Sequence, residues 1–349
     1  MNIEISGSVE VALTHFAMYG LGLILSDSGA RRVRVWWADG PEARATVAWE
    51  GDSSAAEVLQ RHAAKHHEDD SWVQATFKHK FEQKGAIKDT IIGLFSPRIP
   101  QAVSADAWQA LEKCREKYLD DPSLTKLDRL MIGALGEPAH WLCGGKDNQP
   151  DLGATRWEMK TRNRGEEFVQ HRLAPLAHIV AGRSLQQIDD GLTGTAILDE
   201  LGKNSPGSRT GTGFSSPGPV DSALAWCALW GISLIPLVPQ VGRMSQTAGT
   251  SPRRRVHPDH VALPVFTRPT SLDLWRAILA SAIFDRAAFG QSQTGSDVAD
   301  PRAADVASAR ATLRERGVAG LVRFPVRVDN PNAPERSILW GVVDPLADS

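Results

Sequence analysis

The longest apolar run in the chain, SALAWCALWGISLIPLVP over residues 222–239, sets the strongest limit on the fold. A helix that crosses a bilayer needs about 20 consecutive apolar residues, and Gly231 and Pro236 interrupt this run. It reads instead as an internal helix, VDSALAWCALWG (220–231), followed by a strand, ISLIPLV. VALTHFAMYGLGLIL (11–25) has helical apolar spacing and ends near Gly20 or Gly22. At 349 residues, 42% of them hydrophobic, the chain can bury a substantial core, and its length suggests two or three domains or lobes.

The remaining pattern is α+β: mixed sheets with packed helices and long Gly/Ser/Pro-rich surface loops. RRVRVWWAD (31–39) alternates cations with Val33, Val35 and Trp37, the mark of a half-buried strand, and ARATVAW (43–49) reads as its partner. Ser54 and Glu57 form a capping box that opens a helix running to about His67. SWVQATF (71–77) reads as a strand and leads into KHKFEQKGAIK, with Lys78, Lys80, Lys84 and Lys88 around Phe81. Helices are expected from Ser104, from Thr125 to Gly136, over 167–181 with a kink at Pro175, and over 184–201. Toward the end come a strand HVALPVF, a helix SLDLWRAILASAIF (271–284), a helix over 303–316, and two segments able to pair, LVRFPVRV (321–328) and SILWGVV (337–343).

Residues 204–219, 240–256 and 290–303 are rich in Gly, Ser, Thr and Pro and are expected to be mobile surface loops. The division that follows is an N-terminal lobe, 1–201, containing a basic strand 155–164; a flexible loop or linker, 202–219; and a C-terminal lobe, 220–349, with a mobile basic loop at 240–256. Cys114, Cys143 and Cys227 have no metal-ligand or disulfide spacing and are expected to be buried free thiols. MNIEISGSVEVAL lacks a basic stretch followed by an apolar core, so no secretory signal is expected and the chain is placed in the cytoplasm, off the membrane.

The formal net charge is −2, so any polyanion site has to be a local patch. QPDLGATRWEMKTRNRGEEF (149–168) is the densest candidate. Read as a strand, TRWEMKTR turns Thr155, Trp157, Met159 and Thr161 inward and Arg156, Glu158, Lys160 and Arg162 outward. Arg156, Lys160, Arg162 and Arg164 then suit phosphate contacts, which position a nucleic acid without reading its bases. Glu166 and Glu167 offset part of that charge. The same segment matches a PD-(D/E)xK nuclease, in which Asp151 and Glu158 hold Mg2+ and Lys160 orients the attacking water. Only six residues separate the two acids, however, and Asp151 opposite Arg156 is also an ordinary cross-strand pair. No catalytic centre and no cofactor are therefore favoured, and Mg2+ belongs to the nuclease alternative alone.

Arg209, the triplet Arg253, Arg254 and Arg255, and Lys78 and Lys80 add basic patches suited to a nucleic-acid backbone if the fold brings them to one face. Each has a plain alternative as a solvated face. His62 and His66 stand one helical turn apart, but without a third ligand they read as part of a solvated polar face rather than a metal site. CGGKD (143–147) fails the phosphate-loop pattern, because His140 replaces the first Gly and Asp147 the Ser/Thr.

ALTHFAMYGLGLIL, SRTGTGFSSPGPVDSALAWCALWGISLIPL and HVALPVFTRPTSLDLWRAILAS together resemble subunits of bacterial type I CRISPR effector (Cascade) complexes, particularly the type I-G (formerly I-U) group. The resemblance covers about half the chain and contains no catalytic motif. It implies a non-catalytic large or accessory subunit working with guide RNA, target DNA, other effector subunits and a recruited helicase-nuclease in antiviral defence. Base pairing with the guide would supply sequence specificity, and the protein would grip the backbones. A scaffold without nucleic-acid contact is the third alternative.

Overall fold

The computed structural model describes residues 1–38, 43–138, 150–158, 168–208, 212–214, 218–240, 244–253, 255, 257–290, 301–328 and 336–346, the side chains of 150, 151 and 301–303 excepted. Two apolar helices pack against each other at its centre. Helix α1 (Ala12–Asp27) is buried along most of its length, and α7 (Ser222–Gly231) is buried at every residue. A helix that is apolar all round must be enclosed by other elements. Glycine sets how closely these two approach. A Cβ at Gly20 would lie 1.8 Å from the Cys227 carbonyl oxygen, and one at Gly231 would lie 2.2 Å from that of Phe16. Gly20→Ala should therefore force the helices apart and cost about 2–3 kcal/mol. Urea unfolding checks this through a lower midpoint at unchanged slope; an unchanged midpoint would mean the helices can shift freely.

Around this pair lie antiparallel sheets, giving an α+β fold. The first has the order β1 (Asn2–Ile5), β3 (Ala45–Glu50), β2 (Arg31–Trp37). As the alternation predicts, Val33, Val35 and Trp37 are its buried side chains on β2. In the second, β9 (His260–Val265) lies between β8 (Thr250–Ser251) and β10 (Gly320–Val328). The start of β10 also pairs with β12 (Val342–Pro345), and its end with β11 (Arg336–Ile338). The expected pairing of 321–328 with 337–343 is thus divided between two short strands. The sheets join where Val35 exchanges hydrogen bonds with Thr270 and the Trp37 amide donates to Phe266.

The lysine-rich segment forms a hairpin of β4 (Thr76–Gln83) and β5 (Ala86–Gly93). Lys84 and Gly85 make its turn with φ of 55° and 77°, the left-handed pair that a two-residue hairpin turn requires. SWVQATF is not the strand expected: 71–75 are turn and unpaired residues, and pairing begins at Thr76. ISLIPLV contributes only β6 (Leu237–Val238), which pairs with β7 (Gln246–Thr247), because Ile232–Leu234 extends α7 as a tight helical turn.

Local chemistry sets the other helix limits. The Ser54–Glu57 box opens α2 (Ala55–His67), and Ser104 caps α3 (Ala105–Leu119). Thr125 and Asp128 form a box at α4 (Lys126–Leu135). Pro175 stands in the first turn of α5 (Ala174–Gly182), where its missing N–H costs nothing, after a wider turn over Val169–Leu173. Gly194, at φ 78°, ends α6 (Leu185–Thr193) eight residues short of the expected limit at 201. Ser281 splits the expected helix 271–284 into α8 (Leu272–Ala280) and α9 (Ala282–Phe289). Its backbone is extended, and its hydroxyl accepts the Phe284 amide at 3.1 Å. Helix α10 (Pro301–Glu315) precedes β10.

Asp221 ties the start of α7 to the rest of the molecule. Its carboxylate accepts the amides of Ala223, Leu224 and Leu198 and pairs with the buried Arg183 guanidinium at 2.9 Å. Arg183 also binds Glu200 through two nitrogens. One cluster of buried apolar side chains includes residues from Ile5 to Leu346. Cys227 lies inside it, whereas Cys114 is exposed, contrary to the buried thiol expected there; Cys143 falls outside the described residues.

Candidate nucleic-acid interface

The segment TRWE (155–158) is a bend, not a strand. Beside it, Ala154 makes a single bridge to Gly136. Side chains and neighbouring loops take up its polar groups in place of a ladder partner. The Arg156 amide donates to Thr247 Oγ1 at 3.1 Å, the Trp157 amide to Thr155 Oγ1 at 3.3 Å, and the Trp157 indole to the Ala248 carbonyl at 2.8 Å. Without a pleat, successive side chains need not alternate. Arg156, Trp157 and Glu158 are all buried, which corrects the expected outward face for Arg156 and Glu158. The Arg156 guanidinium donates to the Leu152 carbonyl at 3.1 Å.

Glu158 is 1% exposed, and its carboxylate lies 3.1 Å from the guanidinium of Arg98, whose side chain is 4% exposed. Arg98 also donates to the Thr155 carbonyl at 2.9 Å, and Arg336 donates to the Glu158 carbonyl at 3.0 Å. The group clamps the loop after β5, the bend and β11 together. Removing one partner of such a pair leaves an uncompensated buried charge. Of the three nuclease candidates, Glu158 thus faces a cation. Lys160 lies outside the described residues, as does the side chain of Asp151. Among the described residues, no group of three or more His, Cys, Asp or Glu side chains is placed to hold a metal ion.

Lys160, Arg162, Arg164, Arg209 and Arg254 also lie outside the described residues. Arg253 pairs with Asp285. Arg255 pairs with Asp259 at 3.1 Å, both side chains being exposed. Lys78 and Lys80 stand on the β4–β5 hairpin, where the register places Lys78 opposite Ile91, Lys80 opposite Asp89 and Glu82 opposite Ile87 on one face. On the other face the buried His79 meets the Pro100 carbonyl through Nε2 at 2.7 Å, and along the outer edge of β4 Phe81 makes a backbone bridge to Ala102. The first face is open to solvent. Lys78 is 72% exposed, Ile87 70% and Ile91 63%. Lys78 reaches Asp89 at 3.2 Å, an exposed pair of little energetic weight that a phosphate could displace. The two exposed isoleucines escaped the sequence reading. The Lys84-Gly85 turn signal, with strict alternation on either side, would have placed them beside the lysines.

His62 and His66 are not on a solvated face. His66 lies between Ser71 Oγ at 3.2 Å and Asp128 Oδ1 at 3.3 Å, and the Trp226 indole donates to His62 Nδ1 at 3.2 Å. Asp128 also accepts from the Trp72 indole at 2.9 Å and from Lys65 at 3.0 Å. Burial pushes the His66 imidazole down to about 4, although Asp128 opposes the shift, and holds His62 well below its usual range. The network joins α2, α4 and α7 through neutral imidazoles. Comparison of the chain with protein-family models, curated proteins and solved structures finds no match. No helix among the described residues is long and apolar enough to cross a membrane.

Proposed function

We propose that this chain is a non-catalytic subunit of a cytoplasmic type I CRISPR RNA-guided DNA interference complex, contacting nucleic-acid backbone and partner subunits. The open face of the β4–β5 hairpin carries the reading, with Lys78 and Lys80 beside the exposed Ile87 and Ile91. Solvent-exposed cations able to meet phosphates and exposed apolar side chains able to meet a partner occur there together. The sequence resemblance supplies the complex. The burial of Glu158 against Arg98 supports a structural role for the acid of the EMK segment.

Co-expression with neighbouring genes, followed by purification and sequencing of bound RNA, tests the assignment. A discrete guide RNA recovered with other effector subunits is the expected result; a chain recovered alone and RNA-free would refute it. Within the purified complex, Lys78→Gln with Lys80→Gln should weaken binding to duplex DNA. It should also make the dependence of log Kd on log salt shallower by about 1.8, the value for two lost phosphate contacts. An unchanged slope would remove the hairpin from the interface.

A further inference from the structure

A cleft of about 400 Å³ opens where the end of α1, the start of β2 and the first turns of α4 and α8 meet. Arg32, Arg34, Lys126 and Arg276 line it together with two acids, Asp27 and Asp273. Asp27 already accepts the Leu127 amide at 3.2 Å, and Asp273 sits in the first turn of α8, so a helix N-terminus answers each carboxylate. Among the described residues Arg32 pairs with Glu50 alone, in an exposed pair at 2.9 Å. The Arg34 guanidinium donates to a neutral carbonyl, that of Val33. Lys126 and Arg276 have no ion-pair partner among the described residues.

The backbone supplies a second, independent observation. Between Arg31 and Arg34 the register of β2 on β3 slips, and Arg32 holds a left-handed φ of 49°. A bulge re-aims side chains at the edge of a sheet, and a positive φ at a non-glycine residue is a local strain. Here the strained residue is one of the four cations at the cleft. Leu23, Leu130 and Leu234 form its apolar walls. Guanidinium groups fit phosphate oxygens in pairs.

We propose that this cleft grips the phosphodiester backbone of a nucleic-acid strand, with Arg34 and Arg276 as its principal contacts and Arg32 and Lys126 flanking them. The inference rests on the nucleic-acid reading above and assigns it a second site, built from elements other than the hairpin. A fluorescein-labelled single-stranded oligo-dT is titrated with the full-length protein across a salt series, using wild type, Arg34→Gln with Arg276→Gln, and Lys78→Gln with Lys80→Gln. Thermal melting confirms that each variant is folded; if the arginine pair melts early, Arg276→Lys with Lys126→Gln replaces it.

The cleft variant should lose at least tenfold in affinity at low salt, and its salt slope should be shallower by about 1.4, as expected for two single-strand contacts. Unlabelled oligonucleotide should compete far better than poly-glutamate of equal charge. If the cleft variant binds as wild type while the lysine variant is weakened, the cleft assignment fails and the nucleic-acid reading survives. If wild type binds no oligonucleotide, both fail. Equal competition by poly-glutamate would make the cleft a seat for an acidic protein segment and overturn the phosphodiester assignment.

Discussion

Asp221→Ala should destabilise the protein by about 3 kcal/mol or more. Two losses add. The α7 N-terminus loses the acceptor of two amides, worth about 1 kcal/mol. Arg183, almost fully buried, loses one of its two carboxylates, and breaking a buried pair costs about 3–5 kcal/mol. Glu200 moderates that second cost, because it still binds Arg183 through two nitrogens. Although burial works against ionisation, hydrogen bonds from Arg183 and Ser222 hold the Glu200 carboxyl below its usual range, so it remains charged at neutral pH. Asp221→Asn separates the two losses: it keeps an acceptor for the amides and removes the charge, and should fall between wild type and Asp221→Ala. Urea unfolding at neutral pH measures all three. If Asp221→Ala stays within about 0.5 kcal/mol of wild type, the range of an ordinary surface change, then α7 is held by its apolar packing alone.

The features legible in the sequence are those specified by residues close together in it. The Ser54–Glu57 box, the alternation of Val33, Val35 and Trp37, and the apolar helix at 220–231 each need only a few neighbours, and all occur in the structure. The bend at 155–158 was not legible. Its alternation of large and charged residues looks like a strand, but a strand needs a ladder partner, and here Thr155, Thr247 and Ala248 meet the polar groups instead. The partner that buries Glu158 lies sixty residues earlier in the chain, at Arg98. The cations divide in the same way. Lys78 and Lys80 were visible as a run, whereas the four cations of the cleft come from β2, α4 and α8, and no window of sequence contains them together. Ser281 shows the limit for helices, since one hydroxyl accepting one amide ends an apolar pattern that continues unbroken across it.

Acid should weaken the fold well before its carboxylates protonate, because the imidazoles inside it are neutral. His15 is buried on α1, its Nε2 2.7 Å from the Val9 carbonyl and its Nδ1 3.1 Å from the Tyr19 hydroxyl, with the Trp37 and Phe324 rings beside it. The carbonyl can only accept, so Nε2 carries the proton and Nδ1 accepts from Tyr19. Burial pushes the His15 pKa from 6.5 down to about 4, with the bond to Val9 opposing. In the unfolded chain the same imidazole protonates near 6.5, so between 6.5 and about 4 the unfolded state binds the extra proton. The stability contributed by neutral His15 is therefore complete above 6.5 and is lost as pH falls, by about 3 kcal/mol on reaching 4. His66 acts in the same direction over the same window. The urea midpoint should decline steadily from neutral pH toward 4, not hold level until the carboxylates titrate. His15→Gln cannot take up the proton in the unfolded state. It should be less stable than wild type at neutral pH, with a pH profile shallower by about 3 kcal/mol, so that the two curves converge in acid. Parallel curves would mean that water reaches the imidazole and that α1 is not sealed at its first turn.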